Sequence, residues 1–120
     1  MKLRPFNSAI SIITIILFSS ASTLFADQAP FKIGVLLCQT GACADWGDNA
    51  LKGIHLAVDE INAQGGVLGS KIEIELQDTK DADNAAGTIS AFQVLSMNKD
   101  IKYFIGPTWS TGSRPLIPII

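Results

Sequence analysis

The residues of this chain with chemistry to offer lie in two short stretches, and their types suit recognition rather than bond making. Ser110, Thr111 and Ser113 stand in TWSTGSRP, after an apolar run and before a helix start. Their hydroxyls combine there with backbone N–H groups that a first helical turn leaves unpaired and with the positive end of a helix dipole, a donor set that suits a carboxylate. One such hydroxyl can also simply cap the helix, so capping and ligand binding are both open to these residues. Trp109 in the same stretch and Trp46 in CQTGACADWGD supply flat apolar walls. A tryptophan in either place serves equally as packing.

Other patterns fail on spacing or context. GGVLGSK (65–71) has the wrong spacing for a phosphate loop and joins a helix to a strand, the reverse of what phosphate binding needs. TWSTG lacks the first glycine of a nucleophile elbow, and the single histidine, His55, lies on a helix more than a turn from its start, at the edge of the packed stripe. DTKDAD (78–83) has neither the glycine nor the closing glutamate of a calcium loop and reads as a helix cap with solvated acids. No enzyme constellation emerges, and neither metal nor cofactor is expected. Cys38 and Cys43 are five residues apart across a glycine-containing turn. They fit either a short disulfide ring that stiffens the loop, worth at most about 2 kcal/mol through chain entropy, or two buried or half-buried thiols.

The elements that must carry these residues alternate. Phe31–Leu37 is an almost continuous apolar run, expected of a strand covered on both faces. Asp48 is a plausible N-cap for a helix whose Ala50, Leu51, Ile54, Ala57, Val58 and Ile61 recur at helical spacing, with Lys52, Asp59, Glu60 and Asn62 outward and a stop at Gly65 and Gly66. Lys71–Asp78 alternates strictly, with Ile72, Ile74 and Leu76 on one face and Glu73, Glu75 and Gln77 on a wet one, the signature of an edge strand. Asp81 or Asp83 is placed to cap a second helix running to about Met97 through Ala85, Ile89, Phe92 and Leu95. Ile101–Gly106 reads as another buried strand, and 107–115 as a loop into a third helix.

This β-α-β-α-β order calls for an α/β fold with a parallel sheet and right-handed crossovers. With the alternating strand at the edge, the strand order is 2-1-3, and the gap between strands one and three becomes a switch point where α/β sheets bind small molecules. Loops 39–48 and 107–113 flank that gap and should share one crevice.

The N-terminus stands outside this domain. Lys2 and Arg4 precede the apolar run AISIITIILF and a stretch of small residues, the layout of a secretory signal over residues 1–26. Cleavage after Ala26 or after Ala21 fits, and an uncleaved anchor is the competing reading; either exports residues 27–120, into a compartment where disulfides persist. Removing Lys2 and Arg4 leaves seven basic against eleven acidic residues, a net of −4, with no basic cluster, so nucleic acid is not an expected partner. PLIPII at the end is apolar and carries no helix cap, so a further element is expected to follow and the domain to be incomplete.

KIGVLLCQTGACADWGDNALKGIHLAVDEINAQGGVLG, KIEIELQDTKDADNA and YFIGPTWSTG together resemble the substrate-binding proteins of ABC importers for branched-chain and related amino acids, the type I periplasmic binding fold. The resemblance covers Phe31 to the end and implies the first half of lobe 1 of a two-lobed, hinged protein that closes over an amino acid or amide and presents it to an inner-membrane ABC permease in the periplasm. A ligand-sensing domain of the same fold, in an amide or amino-acid regulator, is the alternative. By position, the resemblance implies that Ser110 binds the ligand carboxylate with help from Thr111 and that Trp46 lies along the ligand. It also implies two departures. Some members bond a cysteine in the turn after the second strand to one in the serine loop; here those positions hold Lys80 and Trp109, which leaves Trp109 free to narrow the pocket. The second lobe, which usually supplies the acid for a ligand ammonium, is not in this sequence.

Overall fold

The computed structural model describes residues 28–80 and 84–120; the leader and the expected caps Asp81 and Asp83 lie outside them. Strand β1 (Phe31–Leu37) leads to helix α1 (Ala44–Ala63), strand β2 (Ile72–Asp78), helix α2 (Ala85–Met97), strand β3 (Tyr103–Ile105) and a single helical turn α3 (Ser110–Ser113). A 3-10 turn over Arg114–Leu116 follows.

The three strands form a parallel sheet in the order β2-β1-β3, as the sequence predicts. Phe31 to Leu37 pair in register with Ile72 to Asp78, and Ile33, Gly34 and Val35 pair with Tyr103, Phe104 and Ile105. Alternation then gives β1 two covered faces. Leu36 packs with Ala91, Phe92 and Leu95 of α2 and with Ile101 and Leu116, Phe104 leaning on the same cluster. Ile33, Val35 and Leu37 point the other way, toward α1. Val35, Leu36 and Leu95, the fully buried aliphatic side chains among these, contribute about 1.5–3 kcal/mol each, which is what fastens helices to the sheet.

Several local expectations are corrected. Helix α1 starts at Ala44, not after Asp48, with Cys43 at the N-cap position and no side-chain cap; Asp48 lies inside the helix and pairs with Lys52 one turn on. The reason is Gly47, whose lack of a Cβ lets the first turn press against the end of β1: a Cβ there would overlap the carbonyl oxygen of Cys38. Asn62 is not outward. Its Oδ1 accepts from the Ile72 N–H at 2.7 Å and its Nδ2 donates to the Ile72 carbonyl at 3.0 Å, stitching α1 to the start of β2. The stop at Gly65 and Gly66 is as expected, both with positive φ; the Gly66 N–H donates to Ile61 and the Gly65 N–H to Asn62, a Schellman closure.

Asn84 caps α2, its Oδ1 accepting from the Gly87 N–H at 2.7 Å. The polar face of β2 is partly sheltered, because Glu75 accepts from Lys32 Nζ at 3.3 Å and from Asn98 Nδ2 at 2.6 Å. β3 is shorter and more exposed than an interior strand, with Tyr103 and Ile105 open to solvent, since no strand pairs with its outer edge among the described residues. Ile61, 38% exposed, shows the same effect on α1: a helix resting on two strands covers only part of its apolar stripe.

Candidate functional site

The gap between β1 and β3 opens at the carboxyl ends of both strands, where residues 38–43 and 106–113 leave the sheet. The first turn of α1, which follows the first of these segments, meets the second. The indole rings of Trp46 and Trp109 lie with centroids 6.3 Å apart at 72°, an edge-to-face pair that spans the crevice. Trp46 belongs to the first turn of α1 rather than to the loop before it, and is 67% exposed. Trp109 immediately precedes α3 and is 37% exposed. Two rings at that angle form an apolar corner with free surface on both walls.

Ser110 and Thr111 open α3 beside Trp109, both exposed, and the Ser110 hydroxyl makes no hydrogen bond among the described residues. Ser113 is used differently from the other two. Its hydroxyl donates to the Trp109 carbonyl at 3.0 Å, alongside the N–H groups of Gly112 and Ser113, so it closes the turn on itself. With four residues, α3 has little dipole, and what it offers a ligand is individual donors at its start.

The opposite wall is held from three sides. Cys38 and Cys43 form a disulfide with Cα atoms 5.9 Å apart, both buried. Gly47 seats the helix on the Cys38 carbonyl. Asp78, the last residue of β2 and the register partner of Leu37, grips the ring from below: Oδ1 accepts from the Gln39 N–H at 2.8 Å and the Lys80 N–H at 2.7 Å, and Oδ2 accepts from the Thr40 hydroxyl at 2.7 Å. Burial pushes the Asp78 carboxyl upward, but the hydrogen bonds from the Thr40 hydroxyl and from the backbone at Gln39, Lys80 and Thr40 outweigh it and hold the carboxyl below its ordinary value.

Sequence reasoning passed over Asp78 as a solvated acid. The signal was its phase, since it continues the Ile72, Ile74, Leu76 face and so points inward toward α1. A hollow of about 490 Å³ lies elsewhere among the described residues, between Leu36, Phe92, Phe104 and Leu116, but it is mostly apolar and lies along the uncovered side of β3, away from the two tryptophans. No cluster of three or more His, Cys, Asp or Glu residues is placed to hold a metal among the described residues.

A parallel 2-1-3 sheet with helices on both faces and a crevice at its switch point defines the class: an open α/β fold of the kind that takes small molecules at that point. The chain belongs to the periplasmic binding protein family, whose model matches residues 30–120. It is 35% identical over 102 residues to the Leu/Ile/Val-binding protein BraC3 of Rhizobium johnstonii, covering 83% of this chain and 27% of that one. Against the leucine-specific-binding protein of Salmonella typhimurium it is 31% identical over 85 residues, covering 70% of this chain and 22% of that one. Among solved structures, the branched-chain amino acid transporter substrate-binding protein LivJ from Streptococcus pneumoniae, in complex with isoleucine, superposes with a TM-score of 0.68 at 32% identity, covering 75% of this chain and 25% of that one. The chain thus spans about a quarter of the length of these relatives. They are binding proteins, and the family is not one of enzymes.

Proposed function

We propose that this chain is the N-terminal part of an exported solute receptor that captures an amino acid or a related small molecule for an ABC importer. The observation that carries the reading is the meeting of Trp46 and Trp109 beside Ser110 and Thr111, over the switch point of the sheet. In this reading residues 1–26 direct export to the periplasm, and residues 27–120 supply the first half of lobe 1. The Ser110 hydroxyl and the N–H groups at the start of α3 take the ligand carboxylate, Thr111 assists, Trp46 lies along the ligand and Trp109 narrows the corner around its side chain. The Cys38–Cys43 bond forms after export and stiffens the wall that bears Trp46.

A ligand that touches both lobes only when they are closed shifts the population to the closed form, which a permease then recognises. Transport is favoured over sensing by the likeness to LivJ, a branched-chain amino acid transporter substrate-binding protein. The test is calorimetry of the full-length protein against amino acids, short-chain amides and urea. Heat from at least one amino acid or amide is expected, and silence from all of them would sink the reading. In the same protein Ser110→Ala should weaken a carboxylate ligand by about 1.5–3 kcal/mol, the range for a hydrogen bond to a charged group. Unchanged affinity would place the carboxylate elsewhere.

A further inference from the structure

We propose that Asp78 is a positioning residue for the crevice: it locks the 38–43 ring and, through it, fixes the orientation of Trp46 against Trp109. Its hydrogen bonds serve this end. Two of its three short hydrogen bonds, to the Gln39 N–H and the Thr40 hydroxyl, enter the ring between its two cysteines, and the third, to the Lys80 N–H, closes the turn that carries the carboxylate. Lys80 itself sits at φ 64°, a left-handed conformation that a lysine adopts only where something holds it. The carboxylate is therefore clamped before it clamps the ring.

The ring passes this constraint to the tryptophan. Cys43 occupies the N-cap position of α1, its carbonyl accepts from the N–H groups of both Trp46 and Gly47 at 3.1 Å, and Gly47 rests on the Cys38 carbonyl at the ring's other end. Trp46 has little packing of its own, so its angle to Trp109 depends on the backbone beneath it. Asp78 touches no ligand in this scheme. The benefit to binding rests on the solute-receptor reading; the positioning does not, and is tested without a ligand.

The experiment uses the full-length protein and the exciton couplet of the indole pair in ultraviolet circular dichroism, identified as the signal lost in both Trp46→Phe and Trp109→Phe. A coupled pair of chromophores reports their mutual angle, which general loosening elsewhere does not change. Asp78→Ala should cut the couplet by more than half while the helical signal is kept, and Asp78→Asn, which retains an acceptor for the two backbone N–H groups, should restore much of it. Asn62→Ala is the control: it removes two hydrogen bonds that join α1 to the other end of β2, and should leave the couplet intact. A full couplet in Asp78→Ala, or an equal loss in Asn62→Ala, overturns the proposal. Should Asp78→Ala fail to fold, Thr40→Val at an exposed position decides, a reduced couplet supporting the clamp and an unchanged one refuting it.

Discussion

Two glycines six residues apart on α1 should respond in opposite directions to the same added methyl group. Gly53 is exposed in mid-helix and nothing lies within 4 Å of where its Cβ would be, so Gly53→Ala removes backbone entropy and costs no contact. A gain of about 0.5–1 kcal/mol is expected. Gly47→Ala carries the same propensity gain, but its Cβ would overlap the Cys38 carbonyl oxygen, lie 2.6 Å from the carbonyl carbon and 2.9 Å from Gln39 Nε2. The glutamine tip can swing aside. The carbonyl cannot, because Cys38 is cross-linked to Cys43 and the next N–H is held by Asp78, so the first turn of α1 must lift. Overpacking of this kind costs about 1–3 kcal/mol, more than the propensity returns. In urea unfolding of the full-length protein, at a slope of about 1–3 kcal/mol per molar, Gly53→Ala should raise the midpoint by roughly 0.5 M and Gly47→Ala should lower it by about as much or more. A Gly47→Ala midpoint at or above that of the wild type would mean that α1 is not seated on Cys38, and the account of how Trp46 is placed would fall with it.

Asn62→Ala deletes both hydrogen bonds to Ile72 and should cost about 2–3 kcal/mol, two bonds with half-buried backbone partners left behind. Amide exchange separates this from general loosening: the Ile72 N–H should lose protection in Asn62→Ala and keep it in Asn62→Asp, which retains the acceptor. For Asp78 the folded pKa lies below the ordinary value of 3.8, so its stabilisation is complete above the unfolded pKa and is lost as pH falls through the folded one. The gap in urea midpoint between wild type and Asp78→Asn should be constant from about pH 7 to pH 5 and should close below pH 3.8; a gap that persists in acid would show that the carboxylate charge contributes nothing.

What the sequence made legible was whatever rests on periodicity. The run at 31–37 and the strict alternation at 72–77 differ in kind, and that difference alone orders the sheet as 2-1-3. Boundaries and burial depended on contacts that periodicity does not record. Asp48 looks like a cap because its type is right, yet the helix begins four residues earlier, where Gly47 permits an approach that any side chain would block. Ile101–Gly106 is apolar enough for an interior strand, but only Tyr103–Ile105 pair, because burial requires a neighbour as well as a composition. Asn62 falls on the polar side of the stripe and still turns inward, since a side chain with both a donor and an acceptor can satisfy the first residue of a strand on both counts.

The site divides along the same line. Residues with free surface, Trp46, Trp109, Ser110 and Thr111, are conspicuous by type and by their place after a strand, whereas those that hold them are not. Asp78 resembles its acidic neighbours until the register sets it opposite Leu37, and only then does its carboxylate come under Gln39 and Thr40. Under the proposed function, a receptor that closes over its ligand, the division has an energetic consequence. A disulfide, a clamped ring and a helix seated on a carbonyl order the Trp46 wall when the chain folds, so little ordering is left for the ligand to impose on that side. In that proposed scheme the binding energy of the ligand is available to differ between open and closed lobes, and that difference alone can drive closure.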